Sequence, residues 1–93
     1  MYAVIRAYAG NADFADTLLE HEDEIRQLIG GIAGFKAYYL LKLTEGTSTI
    51  SIFESQEGAE ESSRVAVAWT AENLPHLDVA APYITAGEVV AAF

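Results

Sequence analysis

The sequence predicts an α+β domain in which four strands form a largely antiparallel sheet and two helices cover one of its faces. Two observations predict this class. Four segments alternate between apolar and polar residues with the two-residue period of strands, and two others repeat apolar residues at the three- and four-residue spacing of amphipathic helices. Their order is strand, helix, strand, strand, helix, strand. Residues 1–93 suffice for one such domain.

The first strand and the first helix fill the N-terminal third of the chain. Tyr2–Ala9 alternates and is rich in aromatic and β-branched residues, so it predicts a strand that ends at Gly10–Asn11. A helix is predicted from Asp13 onward and is ended by Gly30–Gly31. The residues of its buried face recur at helical spacing, namely Phe14, Leu18, His21, Ile25, Leu28 and Ile29.

A hairpin is predicted in the middle of the chain. Phe35–Leu43 follows Gly34 and predicts the second strand, and Thr47–Glu54, in which Thr and Ile alternate, predicts the third. The connection between these two strands is short enough for a hairpin turn.

The second helix and the fourth strand complete the chain. Ser55 is a candidate N-cap for a helix that runs to about Leu74, and Pro75 ends it. Residues 76–82 predict a loop, and Tyr83–Phe93 predicts the last strand.

The composition is acidic and apolar. Five Lys and Arg residues against 14 Asp and Glu give a net charge of −9, which argues against nucleic acid and anionic membranes as partners, since both bind clustered basic residues. Hydrophobic residues make up 52% of the chain, which excludes disorder. There is no cysteine, and hence no disulfide or thiolate chemistry. Neither a signal peptide nor a membrane span is recognisable, so a cytoplasmic protein is expected.

Strand alternation assigns side chains to the two faces of the sheet. Because small residues suit packing beneath helices, we expect Ala3, Ile5 and Ala7 to lie on the helix side. The opposite face then carries Val4, Arg6, Tyr8, Phe35, Tyr39, Leu41, Thr49, Ser51, Phe53, Glu88 and Val90. That face is too apolar to meet water alone, so we expect a second copy to cover it and to enclose a cavity for a ligand.

Three short features carry a resemblance to a known family. They are Gly34–Phe35 before the second strand, Phe53–Ser55 just ahead of Glu57 and the second helix, and Trp69 near the end of that helix. With these features the chain resembles the antibiotic-biosynthesis-monooxygenase-like group of the dimeric α/β-barrel superfamily. The resemblance implies a ferredoxin-like protomer, a homodimer with its sheets packed face to face, and a pocket in each protomer between the sheet and the helices or loops.

The resemblance also implies candidate activities, namely cofactor-free oxidation of phenolic polyketides such as anthrones, quinol oxidation and oxidative haem degradation. The haem-degrading branch uses an Asn on the first strand, a Trp at the end of the third and a His on the second helix. Here Arg6 and Phe53 stand at the first two positions, and residues 56–74 contain no His. We therefore disfavour haem and expect no cofactor.

Arg6, Tyr8 and His21 are the candidate catalytic residues. A cofactor-free oxidation needs a base and a donor or cation beside the developing oxyanion. An Arg within an apolar strand needs a partner when it is buried, and Glu88 on the neighbouring strand is the candidate. Two interpretations stay open for this pair. The pair fixes the dimer or the sheet register, which we favour, or Arg6 stabilises an oxyanion. The same pair could also orient an acidic ligand.

His21 has a structural and a functional interpretation. In a pocket it would be the best general base, whereas at the boundary of the core it would simply be packed. Its spacing with Glu20 and Glu24 places three potential ligands on adjacent turns of one helix. No second cluster supports a metal site, so we expect no metal.

The aromatic residues allow both interpretations as well. Tyr39, Phe53 and Trp69, together with Glu88, are candidate substrate-binding residues, although each aromatic ring alone is more simply a packing residue. Together they would stack on a flat aromatic ligand. The sequence therefore predicts a protein that binds a flat hydrophobic molecule, with cofactor-independent monooxygenase-like oxidation of a phenolic or quinol substrate as the candidate reaction. The alternative is a non-catalytic dimer with a ligand-binding or structural role.

Overall fold

Residues 1–10 and 13–93 are described by the structure, a computed structural model, and they form four strands, three helices and one 3₁₀ turn. Asn11, at the predicted end of the first strand, lies outside the described residues together with Ala12. In chain order the elements are β1 (Tyr2–Ala9), α1 (Phe14–Glu20), α2 (Glu22–Gly30), β2 (Phe35–Leu43), β3 (Gly46–Phe53), α3 (Gln56–Asn73), the 3₁₀ turn (Pro75–Leu77) and β4 (Tyr83–Glu88). The predicted α+β class with an antiparallel sheet is confirmed.

The sheet has the order β2-β3-β1-β4, and every neighbouring pair is antiparallel. The helices lie on one face, which is the ferredoxin-like arrangement. The prediction that the fourth strand continues to Phe93 was wrong. Because β1 begins at Tyr2, opposite Glu88, little of β1 remains for a longer β4 to pair with, and the ladder ends with one bond from the Val89 N–H to the Met1 carbonyl (2.8 Å).

The predicted first helix is two helices that meet at His21. The His21 backbone departs from helical geometry (φ −105°, ψ 24°), so it ends α1 and is the N-cap of α2. Three acidic residues, Glu22–Glu24, form the first turn of α2, where the helix dipole favours negative charge. This acidic run marks a new helix start that the apolar spacing alone does not reveal.

The predicted assignment of β1 to the two faces was wrong. Val4, Arg6 and Tyr8 lie beneath the helices, whereas the alanines and Ile5 between them lie on the uncovered face. The reason is the sheet-facing side of α3, which carries small residues, Gly58, Ala59 and Ser62 among them. Small residues on the helix leave room for large side chains on the strand. The small residues that allow close packing between helix and sheet therefore lie on α3 and not on β1.

A β-bulge in β2 explains a second wrong assignment. The register shifts between Phe35 and Ala37, so Phe35 faces the helices together with Tyr38. Tyr39 and Leu41, in contrast, lie on the uncovered face, as the alternation predicts. Because a bulge inserts one extra residue, strict alternation misplaces every residue on one side of it.

Close packing at the start of α3 fixes the helix against the sheet. The Ser55 side chain accepts a hydrogen bond from the Gly58 N–H (3.3 Å), which confirms the predicted N-cap. A Cβ at Gly58 would lie 2.9 Å from Cδ1 of Phe53 and 3.1 Å from the Ala33 carbonyl oxygen.

In the described part of the chain, no helix is long and apolar enough to cross a bilayer.

We predict that Gly58→Ala lowers the free energy of unfolding by about 1–2 kcal/mol, because overpacking against a rigid ring outweighs the gain in helix propensity. Gly30→Ala is the matched control, since a Cβ there meets only Cε2 of Phe35 at 4.0 Å. That variant should be unchanged or slightly more stable. Urea unfolding of both variants measures the difference, and equal stability would contradict the packing argument.

Candidate functional site

The guanidinium of Arg6 is buried between the sheet and α3, with 1% of the residue exposed. Its Nε donates to Oγ1 of Thr49 (3.1 Å), and one terminal nitrogen donates to the hydroxyls of Ser62 and Ser63 (3.1 Å each). The other terminal nitrogen donates to Oγ of Ser51 (2.6 Å). We call these four residues the hydroxyl cage. Among the described residues, no carboxylate pairs with Arg6.

The hydroxyl cage follows from strand register and helix spacing. Thr49 lies directly opposite Arg6 in the ladder, and Ser51, two residues on, points to the same face. From above, α3 supplies the two serines. Ser62 donates its own proton to the Ala59 carbonyl (2.7 Å), so its oxygen lone pairs are left to accept from Arg6.

Burial shifts the protonation equilibria around this charge. Burial lowers the pKa of Arg6, and the neighbouring Tyr8 and Tyr38 act in the opposite direction. Burial also raises the pKa of Tyr8, and it raises that of Tyr38 to about 12, in each case partly opposed by the Arg6 charge. Both phenols are therefore neutral hydrogen-bond donors near pH 7, whereas an Arg side chain stays charged in proteins. As far as the described residues go, the positive charge in the interior is therefore balanced only by dipoles.

A small cavity, which we call the inner cavity, lies beside this charge. Its volume is about 20 Å³, enough for one water molecule or one ligand oxygen but not for a ring. Its polar lining comes from four elements and comprises Arg6, Tyr8, Tyr38, Thr49, Trp69 and Thr70.

A larger groove of about 510 Å³, the outer groove, lies between the paired helices α1 and α2 and the edge strand β2. Its volume falls within the range of small-molecule sites, roughly 300–1,000 Å³. Its walls are mainly apolar and aromatic, with Phe35 and Tyr39 on the strand side and an ion pair between Glu22 and Arg26 on α2. The outer groove adjoins the inner cavity, because both are lined by Leu18, Ile25, Ile29 and Tyr38.

The structure brings together three of the predicted site residues, Arg6, Tyr8 and Trp69, around the inner cavity. Tyr39 lines the outer groove instead and is 57% exposed. Phe53 is a fully buried core residue whose ring packs edge-on against Phe35, 5.8 Å between centroids. Phe53 lines neither the inner cavity nor the outer groove.

His21 lies behind Trp69 and does not line either space. The two rings meet edge to face, with 5.4 Å between centroids. Glu24 connects them, because one carboxylate oxygen accepts from Nε1 of Trp69 (2.8 Å) and the other lies 3.4 Å from Nδ1 of His21. This arrangement holds the indole in place at the cavity wall.

The predicted Arg6–Glu88 pair is wrong. In the ladder Arg6 lies opposite Ile84, whereas Glu88 lies opposite Tyr2. Four residues along a strand correspond to roughly 13 Å, beyond the reach of an ion pair. Glu88 is exposed at the end of β4, so hydroxyls take the place that the carboxylate was expected to fill.

Sequence reasoning did not single out Tyr38, Ser62 or Ser63 as members of the site, and it placed Ser51 on the same face as Arg6 without pairing the two. One signal was present in the sequence. Ser62 and Trp69 are seven residues apart, which places them on the same face of α3. A polar hydroxyl on the buried face of a helix needs a partner, and Arg6, which was paired with Glu88 instead, is a donor that could have been matched to Ser62.

Comparisons with known proteins show the fold of the chain. No protein-family model matches it, and no curated protein matches its sequence. Solved structures do match. The haem-degrader MhuD of Mycobacterium tuberculosis, solved with two haems in its active site, has a TM-score of 0.74 at 18% identity, over 100% of this chain and 99% of that chain.

Two oxygenases of Streptomyces show the same fold. The monooxygenase from the ActVA-Orf6 gene of Streptomyces coelicolor, solved with nanaomycin D, has a TM-score of 0.65 at 17% identity, over 99% of this chain and 88% of that chain. The cofactor-independent oxygenase SnoaB of Streptomyces nogalater has a TM-score of 0.64 at 9% identity, over 98% of this chain and 94% of that chain. The predicted resemblance to antibiotic-biosynthesis-monooxygenase-like proteins is confirmed as a likeness of fold.

We predict that the free energy of unfolding falls as the pH rises above about 10, with Tyr38 as one cause. The folded protein holds the phenolic proton of Tyr38 to a pKa of about 12, above the value of the unfolded chain. The contribution of Tyr38 to stability is therefore fully present below about pH 10. It is lost toward pH 12, by about 1.4 kcal/mol per pH unit. Urea unfolding midpoints between about pH 8 and pH 11 measure the slope.

The Tyr38→Phe variant should show a shallower loss of stability with pH than the parent protein. Tyr83→Phe is the control for removing one phenol, because Tyr83 is 77% exposed and lies on the far face of the sheet. An equally steep loss in Tyr38→Phe would contradict the placement of this phenol in the buried site.

Proposed function

We propose that the protein binds a flat, hydrophobic, aromatic molecule in the outer groove, with an oxygen atom of that molecule in the inner cavity beside Arg6. The observation that carries this proposal is the charge of Arg6, which is buried, has no carboxylate partner among the described residues and lies next to an apolar groove. The groove supplies stacking surface, and the charge fixes the orientation of the ligand.

The candidate reaction is the cofactor-independent oxidation of a phenolic or quinol substrate by O₂. An ionised anthrone passes one electron to O₂, the two radicals combine to a peroxide at the ring carbon, and loss of water leaves a ketone. The balance is one CH₂ group and one O₂ giving one C=O group and one H₂O. Arg6 would stabilise the negative charge on the ring oxygen throughout, and Tyr8 and Tyr38 would donate hydrogen bonds to it.

A non-catalytic ligand carrier is the second candidate. One observation favours it, since the described lining of the inner cavity contains no carboxylate and no imidazole that could move a proton. On this alternative the same groove and the same charge bind the molecule without transforming it.

The uncovered face of the sheet supports a homodimer as part of the proposal. Its central row crosses three strands, with Tyr39 on β2, Ile50 on β3 and Ile5 on β1. Tyr39 and Ile5 are 57% and 41% exposed, which leaves a band of apolar surface open to water. A second copy of the sheet would cover this band through the same residues on each side.

The reaction is tested by aerobic spectrophotometry of an anthrone and quinol panel with purified protein and no added cofactor. We predict protein-dependent oxidation that Tyr8→Phe lowers at least about tenfold and Arg6→Ala abolishes. Tyr83→Phe, on the far face, should keep full activity. Circular dichroism shows whether each variant is folded. Binding without turnover across the panel would favour the carrier, and no binding at all would contradict the proposal.

Dimerisation is tested by sedimentation or light scattering at micromolar concentration. We predict that Ile5→Arg converts a dimer into a monomer, because the charge would be buried at the centre of the interface. Val67→Arg is the matched control, since Val67 is 38% exposed but lies on α3, on the opposite side of the molecule. A monomeric parent protein, or a dimer that survives Ile5→Arg, would contradict dimerisation through this face.

A further inference from the structure

We infer that this site takes its ligand as a preformed oxyanion, so that its substrates are phenols and enols acidic enough to ionise in water before they bind. The inference rests on the proposed function and narrows its substrate class. Phenols and quinols that stay neutral in water near pH 7 would bind weakly, so the anthrones and quinols of the panel would be bound, and oxidised, only through the fraction that is ionised in solution. Hydroxyquinones and enolised diketones, which are ionised near pH 7, would be good ligands.

The charge balance of the interior is the first step of the argument. Arg6 has five N–H groups, and the hydroxyl cage takes four of them, because one terminal nitrogen donates twice and the other only once. Within the described part of the chain, one N–H of the second terminal nitrogen and the whole positive charge are left for a ligand. An anion would satisfy both, whereas a neutral oxygen would satisfy only the N–H.

The absence of a base at the described inner-cavity lining is the second step. The titratable groups that face Arg6 are Tyr8 on β1 and Tyr38 on β2, and both hold their protons near pH 7 because burial raises the pKa of each. On α2, Glu24 reaches only the outer side of Trp69, where it already accepts the indole N–H. The one carboxylate in the described lining of the outer groove, that of Glu22, is paired with Arg26. Among the described residues, the site therefore stabilises a negative charge at the inner cavity but has no free base placed there to create one.

Two naphthoquinones that share one ring system and differ by one methyl group distinguish the two kinds of ligand. 2-Hydroxy-1,4-naphthoquinone is ionised near neutral pH, whereas 2-methoxy-1,4-naphthoquinone cannot ionise. Trp69 is the only tryptophan in the sequence and lines the inner cavity, so quenching of its fluorescence reports binding directly. We expect the hydroxy compound to bind at least about tenfold more tightly than the methoxy compound.

The Arg6→Gln variant tests whether the positive charge of Arg6 causes the preference for the hydroxy compound. Glutamine keeps donors for the hydroxyl cage but removes the positive charge, so the preference should disappear while the methoxy compound still binds. If this variant does not fold, calorimetry of the parent protein with 2-naphthol in buffers of different ionisation enthalpy takes its place. We expect weak binding of 2-naphthol without release of a proton.

The outcomes separate the inference from the proposed function. If both quinones bind equally well, the inference is overturned and the aromatic-binding function stands. Tight binding of 2-naphthol with release of a proton would also overturn the inference, because the site would then create the anion itself. If neither quinone binds, both the inference and the proposed function fail.

Discussion

The Arg6 guanidinium is buried without an ion pair to any residue that the structure describes, and this constrains every element that surrounds it. A charge removed from water is tolerated only where fixed dipoles replace its hydration. That requirement explains why β3 carries hydroxyl side chains where β1 carries arginine, and why α3 is lined by small and hydroxylic residues at this point. The core is therefore polar at its centre and aromatic at its ends, where Phe53 packs on Phe35 and Tyr8 packs on Phe14.

Under the function we propose, the outer groove and the inner cavity make different contributions to ligand recognition. The groove offers a broad apolar surface with little directional preference, whereas the inner cavity is too small for anything but one polar atom. Proteins of the same fold hold molecules as different as haem and nanaomycin D, so the fold alone does not select a ligand. Under the function we propose, Arg6, Tyr8 and Tyr38 make that selection in this chain.

Local sequence patterns predicted the helices and strands well. The predictions failed where contacts between residues far apart in the sequence determine the structure. The bounds of β1 and β2 and the cap at Ser55 follow from alternation and capping chemistry. The side of the sheet on which Arg6 lies depends on the size of residues in α3, more than 50 positions away, which no local pattern contains. The site was predicted in part for the same reason. Arg6, Tyr8 and Trp69 were found by their chemical character, whereas Glu88 was chosen without knowledge of the register.

The contrast between the acidic surface and the buried cation has a kinetic consequence. The chain carries a net charge of −9, so an anionic ligand is repelled at a distance and attracted only once it is inside. Dissolved ions screen the outer repulsion over about 10 Å at 0.1 M ionic strength, but they hardly reach the enclosed guanidinium. Salt would thus speed association and leave dissociation nearly unchanged, the reverse of what is usual for oppositely charged partners, whose encounters salt slows.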